Sequence, residues 1–118
     1  MVGININDRY RPFTELMLSG AKTIETRKTP SLNAYVGKRV GIIKTGKGKA
    51  TLVGFVTIGE PIHYQSEEHF RKDEKKHFVT KGSKFDIDDA GKWGYPIINP
   101  TRIKPTYVNS KGIVARKI

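Results

Sequence analysis

The stretch Gly20-Ala21-Lys22-Thr23-Ile24-Glu25-Thr26-Arg27 constrains this chain more than any other. Glycine adopts a positive φ without steric cost, so Gly20 can end a helix and redirect the backbone. Ahead of it, Phe13, Leu16 and Met17 follow helical spacing behind Pro12, a residue suited to the first helical position. Behind it, Ile24, Thr23 and Thr26 favour an extended backbone. A short helix turning directly into a strand is predicted, with Lys22, Glu25 and Arg27 gathered at the junction. In a regular strand, Thr23, Glu25 and Arg27 share one face and Lys22, Ile24 and Thr26 the other. Lys22 joins Glu25 in one hollow only if the chain is still turning at Lys22. Otherwise the stretch is a surface strand whose exposed ion pair contributes roughly 0–1 kcal/mol.

The remaining chain reads as short strands cut by glycine and proline. Val2 to Asn7 alternates Val2, Ile4 and Ile6 against polar or small residues, the period of a half-buried strand. Arg39–Thr45 and Ala50–Ile58 flank Gly46-Lys47-Gly48-Lys49 and read as a hairpin. Ser66 suits a helix cap, with Glu67 and Glu68 in the first turn, and a helix is expected to about Val79. Its apolar stripe is thin, and Asp73 or Glu74 falls on the inward side. Ile97-Ile98 and Thr101–Ile103 read as strand pieces cut by Pro100 and Pro105, and Gly112–Ile118 closes the chain. No repeat or linker divides residues 1–118, so one domain is expected, a small α+β barrel-like sheet of five to six strands with two main helices.

Charge narrows the partners. The 118 residues carry 22 Lys and Arg against 11 Asp and Glu, a net charge of +11. No acid lies between Glu25 and Glu60, where Arg27, Lys28, Lys38, Arg39, Lys44, Lys47 and Lys49 stand. None follows Ala90, where Lys92, Arg102, Lys104, Lys111, Arg116 and Lys117 stand. Two basic blocks around an acidic one are the footprint expected for a polyanion such as nucleic acid. No apolar run approaches a membrane span, and no secretory signal pattern opens the chain. With no cysteine, a disulfide framework or thiolate metal site is excluded, and a cytoplasmic protein is expected.

Several apparent motifs fail on inspection. Gly41 to Lys47 matches the start of a phosphate-binding loop, but Gly48 stands where Ser or Thr would hold magnesium, and strands flank it. Asp86, Asp88 and Gly91 begin like a calcium loop, yet Ala90 and Ile97 occupy ligand positions. His63, His69 and His77 lack metal-ligand spacing on one helical face, so no metal or cofactor is expected. Trp93 and Tyr95 form the only dense aromatic cluster. Beside glycine and basic residues such rings can stack on an unpaired base, or they can line a barrel wall.

The run Arg11-Pro12-Phe13, followed by Leu18 to Arg27, resembles the signature of the ASCH domain, a PUA-like fold. The family pattern of glycine, any, lysine, any, any, glutamate, any, arginine is met at Gly20, Lys22, Glu25 and Arg27. Val36 to Gly41 resembles the family's turn into its third strand, and Trp93-Gly94-Tyr95 with Asn99 to Arg102 and Pro105 its closing segment. The resemblance spans nearly the whole chain. It implies a β-barrel with a cleft where Lys22, Glu25 and Arg27 converge, and an RNA or modified-nucleotide ligand. Arg27, Arg39, Lys44, Lys47, Lys49 and Arg102 would then hold phosphates, while Lys22 and Glu25 read a base edge and Trp93 or Tyr95 stacks on it.

Some relatives are hydrolases, either ribonucleases or amidohydrolases acting on acetylated cytidine. The latter use a lysine, a threonine three residues later and a helical glutamate. Lys22 matches the lysine, but Glu25 stands at the threonine position, which removes the hydroxyl nucleophile. A catalytic version would use Glu25 or a helical acid as general base and Lys22 to stabilise negative charge.

Overall fold

The computed structural model describes residues 1–118. Its strands are β1 (Val2–Asn7), β2 (Ile24–Arg27), β3 (Arg39–Thr45), β4 (Thr51–Ile58), β5 (Ile62–Tyr64), β6 (Lys92–Tyr107) and β7 (Ala115–Lys117). The helices are α1 (Phe13–Leu18), α2 (Glu67–Lys72) and α3 (Glu74–His77), with a single 3₁₀ turn at Asn33–Tyr35. The strands form a curled half-barrel in the order β2-β6-β4-β3-β1-β7, with β5 also paired to β6. The expected α+β barrel-like class is therefore present.

Most pairings are antiparallel, including the β3–β4 hairpin across the Gly46–Lys49 turn. The exception is β1 against β3, parallel from Gly3↔Gly41 to Asn7↔Thr45. A parallel pair needs a crossover, and here the crossover is α1 and β2. The helix-to-strand corner is thus the link that closes the sheet.

Ile4, Ile6, Val40, Ile42, Val56, Ile58, Tyr95 and Ile97 face the concave side and are buried. Phe13 and Met17 of α1 fill the hollow between them. Close approach of α1 needs a residue without a side chain on β4. A Cβ at Gly54 would lie 2.4 Å from the Leu18 side chain and 2.5 Å from the Thr101 carbonyl oxygen. A second cluster of Tyr64, Phe70 and Val79 holds α2 and α3 against β5.

Two elements differ from the sequence reading. Residues 92–107 form one strand of 16 residues, although Pro100 and Pro105 fall inside it. The register with β4 shifts twice, between Ile98 and Thr101 and between Arg102 and Thr106, so each proline sits in a bulge where no ladder donor is required. Asn99 takes φ +50 at the first bulge. The helix expected from Ser66 to about Val79 is two helices. The Ser66 hydroxyl does accept from the His69 amide. The helix then breaks at Asp73, whose carboxylate accepts a hydrogen bond from the buried Tyr64 hydroxyl, and Phe78 ends α3 in the left-handed conformation, φ +63.

Candidate nucleotide-binding pocket

Gly20 has φ +84 and redirects the chain as its position predicted. The backbone does not become a strand at once. The Lys22 amide donates to the Leu16 carbonyl, and the Thr23 amide donates to the Lys76 carbonyl at the end of α3. The chain is still turning at Lys22, so its side chain escapes strand alternation and meets Glu25. Lys22 Nζ lies 3.6 Å from Glu25 Oε1, and Arg27 Nη2 lies 3.1 Å from Glu25 Oε2. Arg27 also donates from Nε to the same carboxylate oxygen and from Nη2 to the Asn5 carbonyl at 2.7 Å.

Lys22 is 2% exposed. Its ammonium donates to the His77 carbonyl, faces Glu25, and lies 4.8 Å from the centre of the Phe13 ring. Burial pulls its pKa from 10.5 down to about 8, with Glu25 opposing the shift. The His77 ring is held too: it contacts the Phe70 carbonyl through Nε2 and accepts from the Val79 amide at Nδ1. That pattern sets the neutral Nε2–H tautomer. Burial is also the first cause of the lowered pKa of His77.

Lys22, Glu25, Arg27 and Phe13 border a cavity of about 250 Å³. Lys22, Arg27, Lys28 and Lys92 supply cations and Glu25 is the only carboxylate in its wall. Phe13, Phe85, Ile6 and Val79 supply the apolar surface. Lys92 is 3% exposed, donates to the Phe85 carbonyl at 2.7 Å, and has its pKa lowered, chiefly by burial. Lys28 is largely exposed and lies 3.9 Å from Asp88.

The other residues singled out in the sequence sit elsewhere. Tyr95 pairs with Glu25 across the sheet but is fully buried, its hydroxyl donating to the Asn33 side chain. It offers no open face for stacking. Trp93 lies flat against His63, with ring centres 3.9 Å apart and planes 5° from parallel. Neither ring borders the cavity. Arg39 donates to the Asn99 carbonyl and the Thr101 hydroxyl, tying down the first β6 bulge. Arg102 makes a bidentate pair with Glu15 at 2.7 and 2.8 Å. Lys44, Lys47 and Lys49 lie on or beside the hairpin, outside the cavity wall, and Lys49 covers the Tyr107 ring. Asp73 is committed to Tyr64 and Glu74 to Arg71, so neither helical acid reaches the cavity.

Lys28, Lys92, Phe85 and Val79 were not singled out from the sequence as site residues. For Lys28 and Lys92 the only available signal was membership of the acid-free basic blocks. For Phe85 and Val79 there was none, because they arrive in a connection without periodicity.

No family model matches the chain, and no curated protein does. Solved structures do. ASCH from Zymomonas mobilis aligns with a TM-score of 0.74 at 17% identity, over 92% of this chain and 73% of that one. A serine-to-alanine variant of the same protein gives 0.71 at 18% identity, over 90% and 72%. A tyrosine-to-phenylalanine variant gives 0.69 at 17%, over 92% and 76%. The fold implied by the glycine-lysine-glutamate-arginine pattern is therefore present: the chain has the PUA-like α+β fold of the ASCH domain.

Proposed function

We propose that this protein binds RNA or a modified nucleotide and that the cavity beside Lys22 receives one base or phosphate-sized group. The observation that carries this reading is the wall of that cavity: four cations surround one buried carboxylate, with aromatic and aliphatic surface between them. Such a wall suits an anionic ligand with a flat apolar part. At about 250 Å³, the cavity falls just below the range of roughly 300–1,000 Å³ typical of drug-sized ligands. It fits a single base or phosphate better than a length of strand.

The roles follow from geometry. The Lys22 ammonium donates to the His77 carbonyl and lies against Glu25 and the Phe13 ring, so in this reading it positions Glu25 rather than gripping phosphate. Arg27, Lys28 and Lys92 are the phosphate contacts. Arg27 occupies Glu25 Oε2, whereas Oε1 faces only the Lys22 ammonium and can accept from an exocyclic amine, the group that adenine- and cytosine-like edges offer. Titration with short single-stranded RNA at two salt concentrations tests the reading. Micromolar binding that weakens with salt is expected, and its absence rejects the proposal.

A second reading is hydrolysis of RNA or of an acylated nucleoside. Burial of Lys22 beside Glu25, with its pKa lowered to about 8, favours it, because groups used in catalysis are commonly tuned toward neutral pH by burial. Glu25 is the only carboxylate in the cavity wall and would act as general base. Such a base contributes about 10²–10⁴-fold, so Glu25→Gln would remove nearly all turnover. Turnover that survives this substitution unchanged rules the reading out.

A further inference from the structure

Lys22 faces the chain segment 76–80, whose His77 carbonyl accepts from its ammonium. Three successive carbonyls on it are held from the two ends of α1: Lys76 by the Thr23 amide and His77 by the Lys22 ammonium after the helix, and Phe78 by the Arg11 guanidinium before it, at 2.8 Å. The left-handed turn at Phe78 separates its side chain from that of Val79. Val79 borders the inner cavity, whereas Phe78 and Thr80 border a shallow outer groove of about 630 Å³. The two hollows are thus adjacent, divided by residues 77–80.

The outer groove is basic. Arg11, Arg71, Lys72 and Lys75 border it, with Glu74 as its only acid. Arg71 is neutralised by Glu74 and Asp86. Arg11 lies over the Phe78 ring and spends one donor on its carbonyl, leaving the rest of its guanidinium free. Lys72 has only an exposed pair with Glu68 at 3.7 Å. Lys75 has no ion-pair partner and is exposed. Three cations are therefore available beside a half-buried aromatic ring.

We propose that this groove binds the backbone phosphates of a single-stranded nucleic acid whose neighbouring nucleotide occupies the inner cavity. The inference rests on the nucleotide reading of the cavity and extends it from a lone nucleotide to a strand. The inner cavity is too small for a second nucleotide, and the adjacent surface over the wall is the one lined by uncommitted cations. The strand would cross residues 77–80 and meet Arg11, Lys72 and Lys75.

The test compares a nucleoside monophosphate with a single-stranded RNA tetranucleotide, each titrated against the wild type, Lys72→Glu/Lys75→Glu and Lys104→Glu/Lys117→Glu. The second variant carries the same charge change outside the groove. Supporting results are unchanged monophosphate affinity throughout, with tetranucleotide affinity down about tenfold in the groove variant alone. Its salt slope should also fall by about 1.4, at roughly 0.7 for each phosphate lost on a single strand. Equal loss in both variants would assign the effect to the overall field and overturn the inference. Tetranucleotide binding unaffected by the groove variant would overturn it while leaving the cavity reading intact. Failure of both ligands to bind the wild type would remove the cavity reading and the inference together. An acidic peptide that competes with the tetranucleotide only at the groove, without the cavity being filled, would overturn the strand path in favour of a protein partner.

Discussion

Lys22 decides how the pocket responds to pH. Burial holds its ammonium near pKa 8 in the fold, while the unfolded chain keeps the ordinary lysine value of about 10.4. Between these values the unfolded state binds more protons than the folded one, so stability rises with pH through that window. Below about pH 8 the full burial penalty acts, and it is relieved as pH climbs. Lys22→Met removes the titrating group at similar length, and Lys92 is common to both proteins. In urea unfolding, the wild type should gain on Lys22→Met between about pH 7.5 and pH 10. A stability difference that stays constant over this interval would show that the Lys22 ammonium is not held below its ordinary pKa. The three charges were legible in the sequence because they are dense and follow a glycine. Their convergence was implied by the family resemblance but not by spacing, because strict alternation places Lys22 on the opposite face. What overrides alternation is the Leu16 carbonyl, which keeps the chain turning for two residues past Gly20.

At the scale of elements, α1 is only six residues long, too short to be stable by propensity. Pro12 makes no side-chain cap. The missing cap comes from Asp8, 2% exposed, whose two oxygens accept from the Thr14 amide and the Thr14 hydroxyl. In sequence Asp8 reads as an ordinary turn residue, because capping is sought immediately before a helix and not six residues before the donor. Asp8→Ala should cost about 1–2 kcal/mol, the range for a lost cap with a buried amide left unpaired. Asp8→Asn should cost less, since it can still accept from the Thr14 amide. Both are read from urea midpoints. Gly20→Ala isolates conformation from contact, because a Cβ there meets nothing within 4 Å. Its cost of about 1 kcal/mol should come from φ +84 alone. A neutral substitution would mean that the corner relaxes without strain. The β6 prolines show the opposite failure of local reading. Read locally, Pro100 and Pro105 end strands, yet two bulges absorb them, and bulges depend on the register of β4, a partner far away in sequence.

Over the whole molecule, the charge pattern predicts a polyanion ligand but does not locate the cavity. The basic hairpin and Arg102 lie outside the cavity wall, whereas Lys92, buried at the start of β6, borders it. Sequence blocks record how many cations share a region and not which of them the sheet turns inward. The net charge of +11 has a second consequence. Several surface pairs are long or exposed, such as Lys28–Asp88 at 3.9 Å and Lys72–Glu68 at 3.7 Å, and pairs of this kind contribute little. Repulsion among the unpaired cations should therefore outweigh attraction within the pairs. Adding salt shortens the screening length from about 30 Å at 0.01 M to about 10 Å at 0.1 M. The urea midpoint of the free protein should rise over this interval, while its affinity for RNA falls. A falling midpoint would mean that surface ion pairs dominate the fold's electrostatics. Opposite trends would instead place the excess positive charge where a polyanion, and not the protein's own carboxylates, neutralises it.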